Sequence, residues 1–304
     1  MPGTVVIVDV GQGDCTIVVD RDTKKGLLVD CSAGHYGTAI SELEGLEFSE
    51  LSAAIVTHSH LDHFEGVIET IEILKERFTG TLHYNHDSFI SAHQHEDGWK
   101  YNKPKLIGLL RRAYSFQPRL QRAQPDIGTQ ELGTMTWTLL SPTHSQLTEA
   151  IIKGNPNLAS AIMVIDIDGQ SVVIGGDAPL KVWKAIQGQL PEHSIVRWPH
   201  HGGRIAGSHD DLFALLNPSD VLISVGSTNT YGHPSEDFFV AASGHGSRLR
   251  CTQATKKCDS GSEGGMCAGS IRIVFDTDRE PQFHTSRPNH NNFIKHLDTP
   301  RCLD

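Results

Sequence analysis

The chain has 304 residues, a formal net charge of −10 and 38% hydrophobic residues. That length supports one large core or two small ones, and the acidic balance excludes a protein that coats nucleic acid by bulk charge while leaving room for a local basic groove. No run of 18 apolar residues occurs, so no membrane association is expected. Met1-Pro-Gly-Thr4 leads straight into an apolar run without a charged and hydrophobic leader, and the six cysteines are irregularly spaced. A cytoplasmic protein with reduced thiols is therefore expected.

Thr4–Asp9 and Cys15–Asp20 read as strands joined by Gly11-Gln-Gly-Asp14, whose glycines permit left-handed backbone and close approach. Gly26–Asp30 is a third strand, and Cys31 beside it reads as a small buried residue. A short helix is expected over 37–43. Leu51–Val56 has the β-branched, apolar character of a buried strand, and Phe64–Lys75 has apolar residues at helical spacing. Between them lies Thr57-His-Ser-His-Leu-Asp-His63, with four metal-capable side chains on an expected loop. His58 and His60 are two apart, so their rings can converge on one ion. Asp62 and His63 come a turn later and can face a second. Imidazole suits zinc and other borderline cations, and the carboxylate tolerates manganese.

Thr81–Tyr84 is a short strand. His83, His86, His93 and His95 cluster around the loop that follows; lining a site mouth or weak metal binding is one reading of them, and solvated loop histidines are the expectation. Residues 99–122 then stand out. They hold Lys100, Lys103, Lys105, Arg111, Arg112, Arg119 and Arg122 without an acid, interleaved with Trp99, Tyr101, Tyr114 and Phe116. Cations for phosphates and rings for base stacking are what a groove for single-stranded nucleic acid uses. The same residues also fit a helix at 104–114 with a solvated charged face and aromatics turned to the core.

Met135–Leu140 opens a second half. Leu158–Asp166 and Ser171–Ile174 read as a strand pair turned at Asp168-Gly169, and Gly175-Gly-Asp177 ends the second strand. A carboxylate after two glycines at a strand end can swing between two ions. A helix is expected over 182–190 and a strand at Ser194–Trp198, which delivers Pro199-His-His-Gly202. Side chains alternate on extended backbone, so only one of His200 and His201 is expected at a given ion. Asp220–Gly226 is another strand, and His233 follows in Tyr231-Gly-His-Pro234. A histidine there can bind a phosphate oxygen or protonate a leaving group.

The C-terminal part contains Cys251, Cys258 and Cys267 in an apparent insertion, a spacing that matches no standard zinc signature. A structural zinc completed by a histidine such as His245 is one reading and free thiols the other. Residues 285–304 are polar and rich in Asn and His, so a loosely held tail is expected after a single domain spanning 1–284.

His58-x-His-x-Asp-His63 after a strand resembles the signature of the metallo-β-lactamase superfamily. With Asp9–Asp14, Pro199–Gly203 and Tyr231–Pro234 in that order, the chain is similar to the metallo-β-lactamase-like domain of the ComEC competence proteins and their soluble relatives. The resemblance runs over residues 4–240. It implies an αββα sandwich, which the two βαβ-like halves also suggest. It implies two divalent ions, Zn2+ or Mn2+. His58, His60 and Asp177 would hold one; Asp62, His63, Asp177 and either His200 or His201 would hold the other. It makes Asp62 a candidate to orient water, Asp14 a carboxylate holding a ligating histidine, and Asp30 a structural aspartate. Asn157 stands where many members carry a histidine, and Asn157-Leu-Ala-Ser160 fits the pattern of the ComEC-like branch. The implied activity is a phosphodiesterase acting on DNA, with His233, Arg111 and Arg112 on phosphates. The alternatives are a hydrolase of a lactam, lactone or thioester, and a catalytic subunit active only within a larger assembly such as a defence complex, docked through the insertion.

Overall fold

Strands that are apolar on both faces need two covers. The computed structural model, which describes residues 2–85, 91–93, 99–116, 119–258, 267–299 and 301–302, shows both. The first sheet holds β1 (Gly3–Ile7), β2 (Cys15–Asp20), β3 (Lys25–Cys31), β4 (Glu50–Ile55), β5 (Phe78–His83) and β6 (Leu120–Gln121). The second holds β7 (Gln130–Leu132), β8 (Met135–Leu139), β9 (Met163–Ile167), β10 (Gln170–Ile174), β11 (Ile195–Arg197), β12 (Asp220–Ile223) and β13 (Arg248–Cys251). β14 (Ile271–Val274) and β15 (Gln282–Thr285) then return to the first sheet, where β14 pairs antiparallel with β1. Among the described residues the orders are β15-β14-β1-β2-β3-β4-β5-β6 and β13-β12-β11-β10-β9-β8-β7.

Each sheet is antiparallel in one part and parallel in the other. β3, β4, β5 and β6 run parallel, as do β10, β11, β12 and β13. Parallel neighbours need crossovers, and helices supply most of them. These are α1 (Tyr36–Gly45), α2 (Leu61–Leu74) and α3 (Trp99–Tyr114) on the first sheet, and α5 (Leu180–Ala185), α6 (His209–Leu216) and α7 (Glu236–His245) on the second. The helix α4 (His144–Lys153) lies between β8 and β9, and α8 (His290–Ile294) follows β15.

Three apolar clusters record the layers. Val5, Val18, Val29 and Ile55 of the first sheet meet Trp137, Met163, Ile165 and Val172 of the second. Val6, Ile17 and Leu28 on the other face of the first sheet pack against Phe64, Val67 and Ile71 of α2 and Leu106 and Leu110 of α3. Val173, Val196 and Val221 pack against Trp183, Phe213 and Phe238 of the outer helices. This is the expected αββα sandwich. Among the described residues, no helix is long and apolar enough to cross a membrane.

Several boundaries differ from the sequence reading. The helix read from Phe64 begins at Leu61, so Asp62 and His63 sit in its first turn rather than on a loop. The strand read from Leu158 begins at Met163. Pro156 starts a short turn of 3-10 helix, and the Asn155 side chain accepts the Asn157 N–H there. The helix read over 182–190 spans Leu180–Ala185 and ends in a separate 3-10 turn. Within the tail, Ile294, Leu297 and Cys302 are buried in the second sheet's outer cluster. Few apolar side chains stand in that segment, so its composition reads as polar although its packing is not.

One carboxylate joins turns of both sheets. Asp20, fully buried at the end of β2, accepts from the N–H and hydroxyl of Thr23 at 2.6 and 2.7 Å. It also accepts from the N–H and hydroxyl of Thr134, in the β7–β8 turn, at 2.9 and 2.6 Å. Burial opposes its ionisation, but these four hydrogen bonds prevail and lower its pKa to about 2. Its unfolded value is about 3.9, so the stabilisation is complete above that value and is lost as pH falls through about 2. Asp20→Ala is expected to lower the unfolding free energy by about 3 kcal/mol at pH 7 in urea titrations, with a smaller difference near pH 2.

Candidate metal centre

The site forms where the carboxyl ends of parallel strands from both sheets meet, the place at which α/β folds leave loops free to converge. The motif loop after β4 brings His58 and His60, and the first turn of α2 brings Asp62 and His63. The loop after β1 brings Asp14. The turn after β10 brings Asp177, and the turn after β11 brings His200 and His201.

Two sets of donor atoms result. Those of Asp14, His63, Asp177 and His201, all buried, lie within 4.8 Å of one another. Those of His58, His60 and Asp177 do the same. Asp177 belongs to both. Four buried atoms in the first set lack a hydrogen-bond partner among the described residues: Asp14 Oδ2, His63 Nε2, Asp177 Oδ1 and His201 Nε2. A buried polar atom without a partner costs roughly 1–3 kcal/mol, so four aimed at one point fit a cation that would satisfy all of them.

The histidines are oriented from behind. His63 Nδ1 is 2.8 Å from Asp30 Oδ2, and Asp30 also accepts from the Thr57 N–H and hydroxyl at 2.7 and 2.6 Å. His201 Nδ1 lies 2.9 Å from the Ser224 carbonyl. Each carbonyl or carboxylate requires the proton on Nδ1, which leaves the Nε2 lone pair facing the site. Asp177 is set by its N–H, which donates to Ser160 Oγ at 3.2 Å.

Charge tells the same story. Asp14, Asp30, Asp62 and Asp177 gather around the site's histidines, and the buried Arg197 donates to Asp14 and, at 2.8 Å, to the Gly176 carbonyl. Burial pulls Arg197 down to about 9, so it stays charged at neutral pH. Burial also disfavours a charged His63, but Asp177, Asp30 and Asp62 outweigh it and push that ring up to about 10. Burial opposes ionisation of Asp62 as well, yet the nearby His63 and His201 rings hold its carboxyl well below the ordinary range. Burial keeps His58 neutral, reinforced by His63 and His60. The centre thus holds surplus negative charge, and a metal ion would displace the His63 proton.

The structure modifies several assignments. The alternation argument for His200 and His201 does not apply, because both residues are left-handed, with φ of 54° and 52°. Both rings therefore turn towards Asp177, with His201 Nε2 4.0 Å from its Oδ1 and His200 Nε2 3.9 Å from its Oδ2, but only His201 belongs to a donor set. Asp14, read as a support for a ligating histidine, has Oδ2 3.4 Å from His63 Nδ1 and also joins the donor set, while Asp30 makes the closer contact to that ring. Asp62 stands at the rim, with Oδ2 3.6 Å from His201 Nε2. Asn157 does not line the cleft.

The cleft in front of the donors measures about 400 Å³ and is lined by Gln12, Asp62, His93, Asn102, Tyr231 and His233 among others. His233 packs parallel to Tyr231, and the Asn229 side chain braces its backbone at 2.8 and 3.0 Å. Burial, with His200 and His201 nearby, lowers His233 to about 4, so it is neutral at pH 7. Gly203 makes room for this ring, since a Cβ there would lie 2.1 Å from it.

The basic segment is less available than the sequence suggests. Arg112 forms a two-pronged pair with Glu72 of α2 at 2.8 and 2.5 Å, and Lys105 pairs with Glu65 at 2.5 Å. Arg119 donates to the Phe78 carbonyl. These acids lie on α2, outside the segment, which is why the run looked uncompensated. Arg111 remains exposed. His83 is buried against Trp137, while His93, 2.6 Å from Ser59 Oγ, lines the cleft. His86 and His95 lie outside the described residues, as do the side chains of Trp99, Lys100 and Tyr101. The role of Arg197 went unread, although an arginine amid Ile-Val and Trp in a buried strand signals a charge that needs a partner.

The sequence profile of the metallo-beta-lactamase superfamily matches residues 8–179. The chain belongs to this superfamily. The match takes in Asp14, the motif loop and Asp177, while His200, His201 and His233 lie beyond it. Recombination protein 2 of Haemophilus influenzae is 25% identical over 276 residues, covering 89% of this chain and 29% of that protein. The chain therefore spans less than a third of that relative's length. Among solved structures, the metallo-beta-lactamase fold protein YhfI of Bacillus subtilis aligns at a TM-score of 0.49 and 15% identity, over 90% of this chain and 100% of that one. A diphosphatase of the PhnP family aligns at 0.47 and 12% identity, over 90% and 98%. Like others of this hydrolytic superfamily, the protein presents a candidate site for divalent metal.

Arg197→Ala leaves Asp14 buried without its cation. It is expected to destabilise the protein by about 3–5 kcal/mol in chemical denaturation. Arg197→Lys should recover only part of this, because one ammonium cannot reproduce the guanidinium's contacts to both Asp14 and the Gly176 carbonyl.

Proposed function

We propose that the chain is a dinuclear-metal phosphodiesterase that cleaves DNA, with single-stranded DNA as its first substrate class. The observation that carries this reading is the sharing of Asp177 by two donor sets that face one cleft. His58, His60 and Asp177 would hold one divalent cation, and Asp14, His63, Asp177 and His201 the other. Zinc and manganese both suit imidazole and carboxylate donors. Held there, two such cations would lower the pKa of bound water and offset charge developing on a phosphoryl oxygen.

The chain's own groups do the rest. Asp62, ionised and half-buried at the rim, accepts a hydrogen bond from the attacking water and so aims it. His233, being neutral, offers an N–H to a phosphoryl oxygen or to the leaving oxygen. The exposed ring of Tyr231 stands at the mouth, where a base can stack on it. DNA as the substrate is supported by the likeness to a recombination protein over most of this chain. The pairing of Lys105 and Arg112 with acids favours a second reading, hydrolysis of a small molecule, for which a cleft of about 400 Å³ is large enough.

Labelled single- and double-stranded DNA, incubated with the protein and added Zn2+ or Mn2+, should be cut by the wild type and left whole by Asp177→Asn. Metal analysis should find two ions at the centre in the wild type. His58→Ala should lose one of them, and Asp177→Asn should weaken both. Intact DNA in the presence of a fully loaded centre would turn the reading towards a small molecule or an absent partner. Gly203→Ala should displace the His233 ring, lowering kcat on the cleaved substrate by up to about 100-fold while leaving metal content unchanged.

A further inference from the structure

Far from this centre in sequence, four of the six cysteines gather with a histidine. Cys251 ends β13, Cys258 follows it, Cys267 precedes β14, and His290 and Cys302 come from the C-terminal segment. All five are buried. Cys267 Sγ lies 3.4 Å from His290 Nε2 and 3.8 Å from Cys302 Sγ. The donor atoms of Cys267, His290 and Cys302 lie within 4.8 Å of one another, and the Cys251 side chain adjoins Cys302. His245, the histidine suggested by the sequence, is elsewhere, 3.0 Å from Asp210.

These spacings discriminate. Two sulfurs bound to one tetrahedral zinc are separated by about 3.8 Å, and a sulfur and an imidazole nitrogen by about 3.5 Å, given Zn–S near 2.3 Å and Zn–N near 2.0–2.1 Å. A disulfide requires an S–S distance of about 2.0 Å, and all the cysteines are free thiols. A purely apolar packing of thiols does not need an imidazole nitrogen turned into the cluster.

We propose that the observed cluster of Cys267, Cys302 and His290, completed by the adjoining Cys251 as fourth ligand, forms a structural zinc site that fastens the C-terminal segment to the second sheet. On binding, three Sγ–H bonds break, their protons pass to solvent, and three Zn–S bonds and one Zn–N bond form. No oxidant is involved. The Arg287 side chain donates to the Cys267 carbonyl at 2.8 Å and so ties the segment beside the cluster.

Besides Ile294 and Leu297 in the outer apolar cluster, the segment is held by contacts nearer the surface. Arg301 reaches Glu236 at 3.0 Å and covers the Phe239 ring, the Thr299 N–H donates to the Cys258 carbonyl at 2.8 Å, and Arg287 covers Phe293. Surface contacts of this kind contribute little each, whereas four ligands tie three separate stretches of chain at one point.

The catalytic centre contains no cysteine, so cobalt distinguishes the two sites. Protein loaded with Co2+ should show a thiolate-to-cobalt charge-transfer band, and Asp177→Asn should keep it together with one tightly bound metal ion per chain. Cys267→Ser and Cys302→Ser should abolish the band and expose residues 290–302 to proteolysis, and Cys258→Ser should keep both band and protection. Absence of the band from the unaltered protein overturns the proposal, whatever the variants do. A band lost in Cys258→Ser but retained in Cys251→Ser overturns the assignment of the fourth ligand.

Discussion

The buried guanidinium of Arg197 is the contact on which the centre depends. It enters from β11 in the second sheet and meets Asp14, which comes from the loop after β1 in the first. Its second arm holds the Gly176 carbonyl, one residue before Asp177. A charge taken so far from water costs several kcal/mol unless its partners are in place. The two sheets therefore cannot slide or separate at this edge without breaking the pair. The same contact fixes the register between the loop that carries Asp14 and the turn that carries Asp177, and so sets where the donor atoms can meet.

Around that pair the chain accumulates more negative charge than its own cations neutralise. Asp30 and Asp14 flank His63 Nδ1 at 2.8 and 3.4 Å, and Asp177 faces its Nε2 at 3.5 Å. A fold that required only stability would use apolar residues of similar volume here. Instead the carboxylates are kept apart by imidazoles whose outer nitrogens are each committed to an acceptor. The result is a cavity with its electrostatics prepared before any ligand enters. Such preparation is what allows a site to stabilise charge during a reaction without reorganising.

The fold and the motif loop were legible because both rest on local rules. Alternating and continuous apolar runs marked the strands, and His58, His60 and Asp177 stood at strand ends where loops converge. What escaped the sequence was set by backbone geometry or by distant partners. The left-handed pair His200 and His201 defeats an alternation rule that holds only for extended chain. Glu65 and Glu72 answer Lys105 and Arg112 across a helix–helix contact that no local window contains. Cys302 and His290 join Cys267 only after the chain has crossed β14 and β15, so the spacing of the first three cysteines carried no recognisable signature.

The last stretch of the chain also bears on the whole. β14 pairs with β1 and β15 with β14, so the C-terminal part extends the first sheet beyond β1. Ile294, Leu297 and Cys302 then pack into the outer layer of the second. One terminal segment thus touches both halves of the sandwich. Contacts between residues this far apart in sequence must offset the entropy of closing a long loop. The strand β1 that receives β14 leads directly into the Asp14 loop. Anything that holds the C-terminal segment in place therefore also steadies, through β14 and β1, the loop from which Arg197 and the metal donors take their position.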